Sequence, residues 1–176
     1  IALTACSGSE GKNSSTEGET KKDLSTIVAE ENNPILVKEN SFFGITQGAS
    51  IDDYKGFTSK GKIRTGEGVI EVYNIEQRGT EIGYLIPDVE DKTKVGDIFT
   101  QSPKAITDHG FKVGTTFKEI LAKYPTVEVR GTKVENRAEA VLGKLHYRLD
   151  FISDYYDLDH ASIPEDAVVH EIVIVK

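Results

Sequence analysis

Apolar and polar residues alternate along several stretches of this chain, which is the pattern of β-strands that bury one face. The alternation is clearest over residues 145–151, where every second residue is apolar. Segments rich in β-branched residues predict further strands at 69–75, 81–86, 95–99 and 168–175. A turn at 77–80 separates the first two of these segments, so we expect them to form a hairpin.

A different spacing predicts one helix between the strands. Thr116 and Glu119 have the spacing of a capping box, and Pro125 ends the segment. The residues between them carry a single apolar stripe at helical spacing, formed by Phe117, Ile120, Leu121 and Tyr124. A second and shorter helix is expected after Ser50, where Asp53 again completes the capping-box spacing.

These elements predict an α+β domain with a mainly antiparallel sheet and one or two short helices. Segments 48–54 and 114–120 share an order of residue types: glycine, any residue, hydroxyl, apolar, any residue, acidic, apolar. A duplicated helix-plus-sheet unit would explain this echo, and so would the chance use of common capping residues.

Composition narrows the class of protein further. The chain has 176 residues, 38% of them hydrophobic, and a formal net charge of −8. This charge argues against a general nucleic-acid-binding protein, because phosphate backbones favour Lys and Arg. The single cysteine, Cys6, excludes an internal disulfide and any zinc site with two Cys ligands.

The first six residues, Ile-Ala-Leu-Thr-Ala-Cys, resemble the end of a bacterial lipoprotein signal peptide. Residues 3–6 match the lipobox, in which the Cys thiol takes a diacylglycerol through a thioether. Residues 7–20 contain no hydrophobic residue, so they are expected to form a flexible tether. The alternative is a cysteine that follows ordinary residues by chance.

We therefore divide the chain into three parts. Residues 1–5 are interpreted as the remainder of a signal peptide, and residues 6–33 as the lipidated Cys6 with its polar tether. Residues 34–176 are interpreted as one α+β domain. Ser7 directly after Cys6 is compatible with sorting to the outer membrane, facing either the periplasm or the cell surface.

One acidic segment supplies the candidates for a metal site, namely Asp154, Asp157, Asp159 and His160. Carboxylate oxygens are ligands for Ca²⁺, although the EF-hand spacing and its glycine are missing. Together with His170, the same region contains the residue types of a metal-dependent hydrolase. The alternative is a solvated acidic connection.

Other motifs do not identify catalytic residues, and no cofactor is expected. The histidines are not at the spacing of a metal pair; they are His109, His146, His160 and His170. Gly66-Glu67-Gly68 lacks the third glycine of a dinucleotide-binding loop. A local basic stretch fits either contact with lipid headgroups or an anionic glycan, or a solvated loop; it comprises Lys55, Lys60, Lys62 and Arg64.

Four features occur in an order that resembles one protein family. They are the run 112–120, the acidic loop 154–159, Ile-Pro-Glu-Asp at 163–166 and the closing strand after Val168. This is similar to the bacterial envelope lipoproteins typified by the sigma-E-regulated lipoprotein, a domain of unknown function. The likeness spans residues 42 to 175 and implies lipidation of Cys6, but no catalytic residue.

The Gly-Thr-x-Phe helix start is also similar to small envelope modules that assemble outer-membrane proteins or inhibit β-lactamases, and these bind partner proteins on a sheet. The expected function is therefore that of a non-enzymatic, lipid-anchored envelope protein that binds a partner protein or an envelope component. The alternative is a metal-dependent hydrolase or a Ca²⁺-binding module that uses residues 154–170.

Overall fold

The described part of the chain consists mainly of β-strands. The structure is a computed structural model and describes residues 33–65, 68–132, 136–153 and 155–176. Its twelve strands are β1 (Ile35–Lys38), β2 (Ser41–Phe42), β3 (Ile45–Thr46), β4 (Thr58–Thr65), β5 (Gly68–Gln77), β6 (Thr80–Pro87), β7 (Val95–Thr100), β8 (Ala105–Thr107), β9 (Glu128–Gly131), β10 (Arg137–Leu142), β11 (Leu145–Ile152) and β12 (Val169–Ile174). The described residues also contain one α-helix, α1 (Phe117–Lys123), and two short 3-10 helices, Ile51–Tyr54 and His160–Ser162.

Eight of the strands form a large antiparallel sheet in the order β4-β5-β6-β7-β12-β11-β10-β9. The other four form a small sheet in the order β3-β2-β1-β8, in which β1 and β8 are parallel. Side chains from both sheets belong to the same hydrophobic core. The architecture is therefore similar to a β-sandwich with two sheets of unequal size.

One face of the large sheet packs on this core. In β11 the side chains of Leu145, Tyr147 and Leu149 are completely buried, which confirms the alternation predicted for this strand. Ile172 and Ile174 of β12 lie opposite Tyr147 and Leu145 and are buried with them. The alternate residues of these strands therefore project from the opposite face of the sheet.

Helix α1 begins at the predicted capping box. The Thr116 hydroxyl accepts a hydrogen bond from the Glu119 N–H at 3.2 Å, and the Glu119 carboxylate accepts one from the Thr116 N–H at 2.7 Å. Phe117 and Ile120 are fully buried in the core. The helix ends before Pro125, as the sequence predicts.

The expected α+β class is wrong, because the described chain is mostly β-structure. The helix expected after Ser50 is a four-residue 3-10 helix, and the Ser50 side chain makes no cap hydrogen bond. Of this segment only Ile51 is buried, so no apolar stripe is present to stabilise a longer helix. The duplicated helix-plus-sheet unit is wrong for the same reason, since the first copy has no α-helix.

Candidate functional site

The large sheet is curled, and its outer face, which points away from the core, is concave. In a flat sheet, eight strands about 4.8 Å apart would separate the two edge strands by about 34 Å. Instead, Ile63 and Thr65 of edge strand β4 line the same cavity as Arg130 and Gly131 of edge strand β9. The curl converts the outer face into a groove.

This sheet groove consists of two adjoining clefts, of about 740 and about 460 Å³, that share Ile63 and Tyr84. The smaller cleft is called the apolar end for its apolar and aromatic lining residues, which are Ile63, Ile70, Tyr84, Ile86, Phe99, Tyr156, Val173 and Val175. It is also lined by Asp97, Arg130, Glu139, His146 and Arg148. The larger cleft is its basic end, where the basic lining residues are Arg64, Arg78, Lys104, Arg137 and His170.

Two aromatic rings lie on the wall of the groove. Tyr84 and Phe99 are opposite each other on β6 and β7, and their rings are stacked with centroids 4.6 Å apart and planes within 4°. The Arg148 guanidinium lies 5.3 Å from the centroid of the Phe99 ring, within the range of a cation–π interaction. The Phe99 ring thus contacts both the Tyr84 ring and the Arg148 guanidinium.

A buried carboxylate, Glu139 of β10, is held by two basic side chains. Its Oε1 accepts a hydrogen bond from Arg130 Nε at 2.8 Å and lies 3.2 Å from His146 Nδ1. Burial, the largest single effect, raises the pKa of Glu139, but the hydrogen bonds from His146 and Arg130 outweigh it, so the pKa is lowered overall. Glu139 is therefore ionised and gives Arg130 a fixed orientation in the groove.

A second buried carboxylate, Glu171 of β12, accepts hydrogen bonds from three side chains. They come from Arg148 Nη1 at 2.9 Å, Gln101 Nε2 at 3.1 Å and the Tyr84 hydroxyl at 3.3 Å. Because Tyr84, Gln101 and Glu171 also line the basic end, this network joins the two ends of the groove. Its members come from four strands or their ends, so the curled sheet sets their relative positions.

Although the chain as a whole is acidic, basic side chains outnumber acidic ones in the lining of the basic end. Its four Arg and Lys side chains face two acidic lining residues, Glu81 and Glu171, and Glu171 is already hydrogen-bonded to Arg148. The whole chain carries a net charge of −8. Arg78, Lys104 and Arg137 of this end also interact with other groups of the protein.

The residues predicted for a metal site have other roles where the structure describes them. Asp159 accepts hydrogen bonds from the Ser162 hydroxyl and N–H, which lower its pKa, and it caps the 3-10 helix His160–Ser162. His160 Nε2 lies 2.6 Å from the Val127 carbonyl oxygen. The Asp157 backbone forms an isolated antiparallel β-bridge with Arg130. Asp154 and Cys6 lie outside the described residues.

No three His, Cys, Asp or Glu side chains in the described ranges are placed to hold a metal ion. His109 belongs to a different network, in which its Nδ1 lies 2.9 Å from the Tyr147 hydroxyl. This hydroxyl donates to Thr107 Oγ1 at 3.0 Å, and burial raises the pKa of Tyr147 well above its ordinary value. His146 and His170 both line the sheet groove.

The sequence alone does not single out the charged residues of the groove, because they occupy the polar positions of predicted strands, where exposure to solvent is expected. One feature of the sequence does point to such a cluster of charges. Predicted strands that are close in sequence carry residues of opposite charge on their polar faces, namely Glu139, His146 and Arg148. The alternation shows that His146 and Arg148 share a face, but it does not show that this face is concave.

The described residues include no helix long and apolar enough to cross a lipid bilayer.

Comparison with known proteins adds a fold but no activity. The chain matches no protein-family model, and no curated protein is significantly similar to it in sequence. Among solved structures it is similar to the uncharacterized protein yfeY from Escherichia coli, with a TM-score of 0.54 and 12% sequence identity. The match covers 80% of this chain and 99% of yfeY. At this identity the similarity concerns the fold alone.

Proposed function

We propose that this chain is a lipid-anchored binding protein of the bacterial cell envelope that holds a partner protein in the sheet groove. The observation that carries the proposal is the groove itself, in which an apolar, aromatic end adjoins a basic end. Aromatic and Arg side chains in such surroundings are the residues that most often dominate binding energy at protein interfaces.

The fixed positions of the charged side chains in the groove support a role in binding. Arg130 and Arg148 are each fixed by a buried carboxylate, with N–O distances of 2.8 and 2.9 Å. A surface whose charged groups already have defined positions loses less conformational entropy when a partner binds. The buried network thus favours recognition of one complementary surface.

Anchoring at the envelope is supported by the sequence. Residues 3–6 match the lipobox, Cys6 is the single cysteine, and the following segment is polar. The resemblance to the family typified by the sigma-E-regulated lipoprotein supports the same position, and we include membership of this family in the proposal. Acyl chains on Cys6 would attach the protein to a membrane at about 0.8 kcal/mol per buried CH₂ group.

Metabolic labelling with a fatty-acid probe tests the anchor. We expect the full-length precursor to be labelled in bacterial cells and its Cys6→Ser variant to remain unlabelled. Equal labelling of both proteins, or of neither, would reject lipidation at Cys6.

Photo-crosslinking in intact cells tests the groove. A photoreactive amino acid at Ile86, which lines the apolar end, is compared with the same amino acid at Val89, an 85% exposed residue outside the groove. We expect a discrete protein adduct from position 86 and none from position 89. The groove is not the binding surface if position 86 gives no adduct or both positions give the same one.

A further inference from the structure

Strand β4 is an edge strand of the large sheet, beside the sheet groove. Among the described residues, β4 pairs only with β5. The opposite edge strand, β9, is covered by the segment around residues 156–157. The Gly131 N–H donates to the Tyr156 carbonyl at 2.7 Å, and the backbones of Arg130 and Asp157 form an antiparallel β-bridge. Of the two edges of this sheet, β4 is thus the one where a further strand can add.

The backbone groups at this edge alternate in direction. The Glu76 N–H donates to the Phe57 carbonyl at 2.9 Å, and the register continues from Thr58 opposite Ile75. In an antiparallel pair the bonded positions repeat every second residue. The N–H and C=O groups of 60, 62 and 64 therefore point outward, away from β5.

The same three positions are basic. One face of β4 carries Lys60, Lys62 and Arg64, and the strand itself contains no acidic residue. Of these three residues, only Lys62 lies opposite an acidic residue of β5, namely Glu71. Ile63, between Lys62 and Arg64, is on the other face and lines both clefts of the groove, and Arg64 also lines the basic end. The edge therefore combines outward hydrogen-bonding groups, a basic row and an adjacent apolar cavity.

We propose that β4 receives an extended, acidic segment of the partner protein as a ninth strand of the large sheet. Addition of a strand to a sheet edge is a common mode of peptide recognition, in which the main chain gives affinity and alternate side chains give specificity. In this arrangement, acidic residues at every second position of the partner's segment lie opposite Lys60, Lys62 and Arg64. The apolar residues between them enter the groove beside Ile63. This inference rests on the proposed function and specifies the partner.

A second copy of this chain is a poorer occupant of the edge. Pairing of β4 with another β4 would bring two rows of basic side chains together, and like charges on adjacent strands are destabilising. Basic residues on edge strands are a known protection against such self-pairing. The charge of this edge therefore favours a partner of opposite charge.

Binding of two synthetic peptides to the whole protein tests the proposal. One is a ten-residue peptide of alternating Glu and Val, and the other has Lys in place of Glu. We expect the Glu peptide to bind and to slow hydrogen exchange at the backbone amides of Lys60, Lys62 and Arg64. We expect no protection by the Lys peptide. Equal binding of both peptides, or protection confined to other strands, would overturn the proposal.

Two variants separate the backbone contribution from the charge. Lys62→Pro removes one outward N–H without removing a bond to β5, whereas Lys62→Gln keeps the N–H and removes the charge. We expect Lys62→Pro to abolish protection of the edge and Lys62→Gln to weaken binding only a few-fold. The double variant Lys60→Glu/Arg64→Glu keeps every amide and is expected to lose roughly tenfold or more in affinity for the Glu peptide.

Other occupants give distinct results that contradict the proposal. If the acidic N-terminal segment of the same chain occupies β4, the three amides are protected before any peptide is added. If the basic row binds lipid, vesicles of anionic phospholipid bind while the Glu peptide does not. An adduct from position 86 that persists unchanged in Lys62→Pro and in the double variant would preserve the proposed function and overturn this inference alone.

Discussion

Arg148 of β11 and Glu171 of β12 lie directly opposite each other on adjacent strands, with Arg148 Nη1 2.9 Å from Glu171 Oε2. The Glu171 side chain is 3% exposed and that of Arg148 is 20% exposed. A carboxylate that is buried to this degree depends on its hydrogen-bond donors. This pair therefore contributes both to the order of the sheet groove and to the stability of the sheet.

Removal of one member of this pair is expected to destabilise the protein. Arg148→Leu leaves the Glu171 carboxylate buried without its guanidinium partner, and we expect the free energy of unfolding to fall by about 3 kcal/mol. The double variant Arg148→Leu/Glu171→Leu should recover part of this loss, since the buried Glu171 carboxylate is then removed as well. Urea denaturation measures both, and a single variant as stable as the wild type would contradict the assignment.

The buried hydroxyl of Tyr147 is expected to stabilise the core through Thr107 and His109. Tyr147→Phe keeps the ring and removes a hydrogen bond of 3.0 Å to Thr107, so we expect a loss of about 1 kcal/mol. Tyr155→Phe, at a 75% exposed residue, is the control and should change the stability by less than about 0.5 kcal/mol. Equal thermal stability of the two variants would show that the buried network contributes nothing.

The capping box of α1 makes a separate prediction. Thr116→Ala removes the oxygen that accepts the Glu119 N–H, and we expect a loss of about 1 kcal/mol in the free energy of unfolding. Lys118→Ala on the same helix, whose side chain is 73% exposed, should cost less than half of this. Chemical denaturation of both variants is the measurement. A Thr116 variant no less stable than the Lys118 variant would be inconsistent with a capping role.

Acid sensitivity is expected from Asp88, whose pKa is lowered to about 2. The largest cause is the hydrogen bond from Lys176, followed by one from the Asp91 N–H. Because the folded pKa is below the ordinary value of 3.8, the carboxylate stabilises the protein above about pH 4, and this contribution is lost as the pH falls towards 2.

Thermal unfolding of wild type and Asp88→Asn between pH 7 and pH 2 measures this contribution. The variant should be less stable at pH 7, and its difference from the wild type should shrink below pH 4. A difference that stays constant over this range would exclude Asp88 as the cause.

The parts of the fold that the sequence predicts are those set by local patterns. The alternation around Tyr147 and the spacing of Thr116 and Glu119 each involve residues close in sequence, and the structure confirms both. The sequence does not predict strand β4, because Ile63 is its one apolar residue and the segment therefore shows no apolar alternation. The strands of the small sheet have only two to four residues, too few to show a period.

The groove depends on relationships that one sequence does not contain. Glu139, Arg148 and Glu171 come from three strands, and their contact depends on the register of β10 with β11 and of β11 with β12. The sequence predicts which residues share a face of a strand. It does not predict how strongly eight strands curl, and the curl brings β4 and β9 to one cavity.

The affinity of the purified protein for the partner captured from position 86 tests the central claim most directly. Ile86→Asp, in the wall of the apolar end, is compared with Val89→Asp outside the groove, after thermal unfolding has shown that both variants are folded. We expect Ile86→Asp to weaken binding by roughly tenfold or more and Val89→Asp to leave it unchanged. Wild-type affinity in the Ile86 variant would contradict the assignment of the sheet groove as the binding surface.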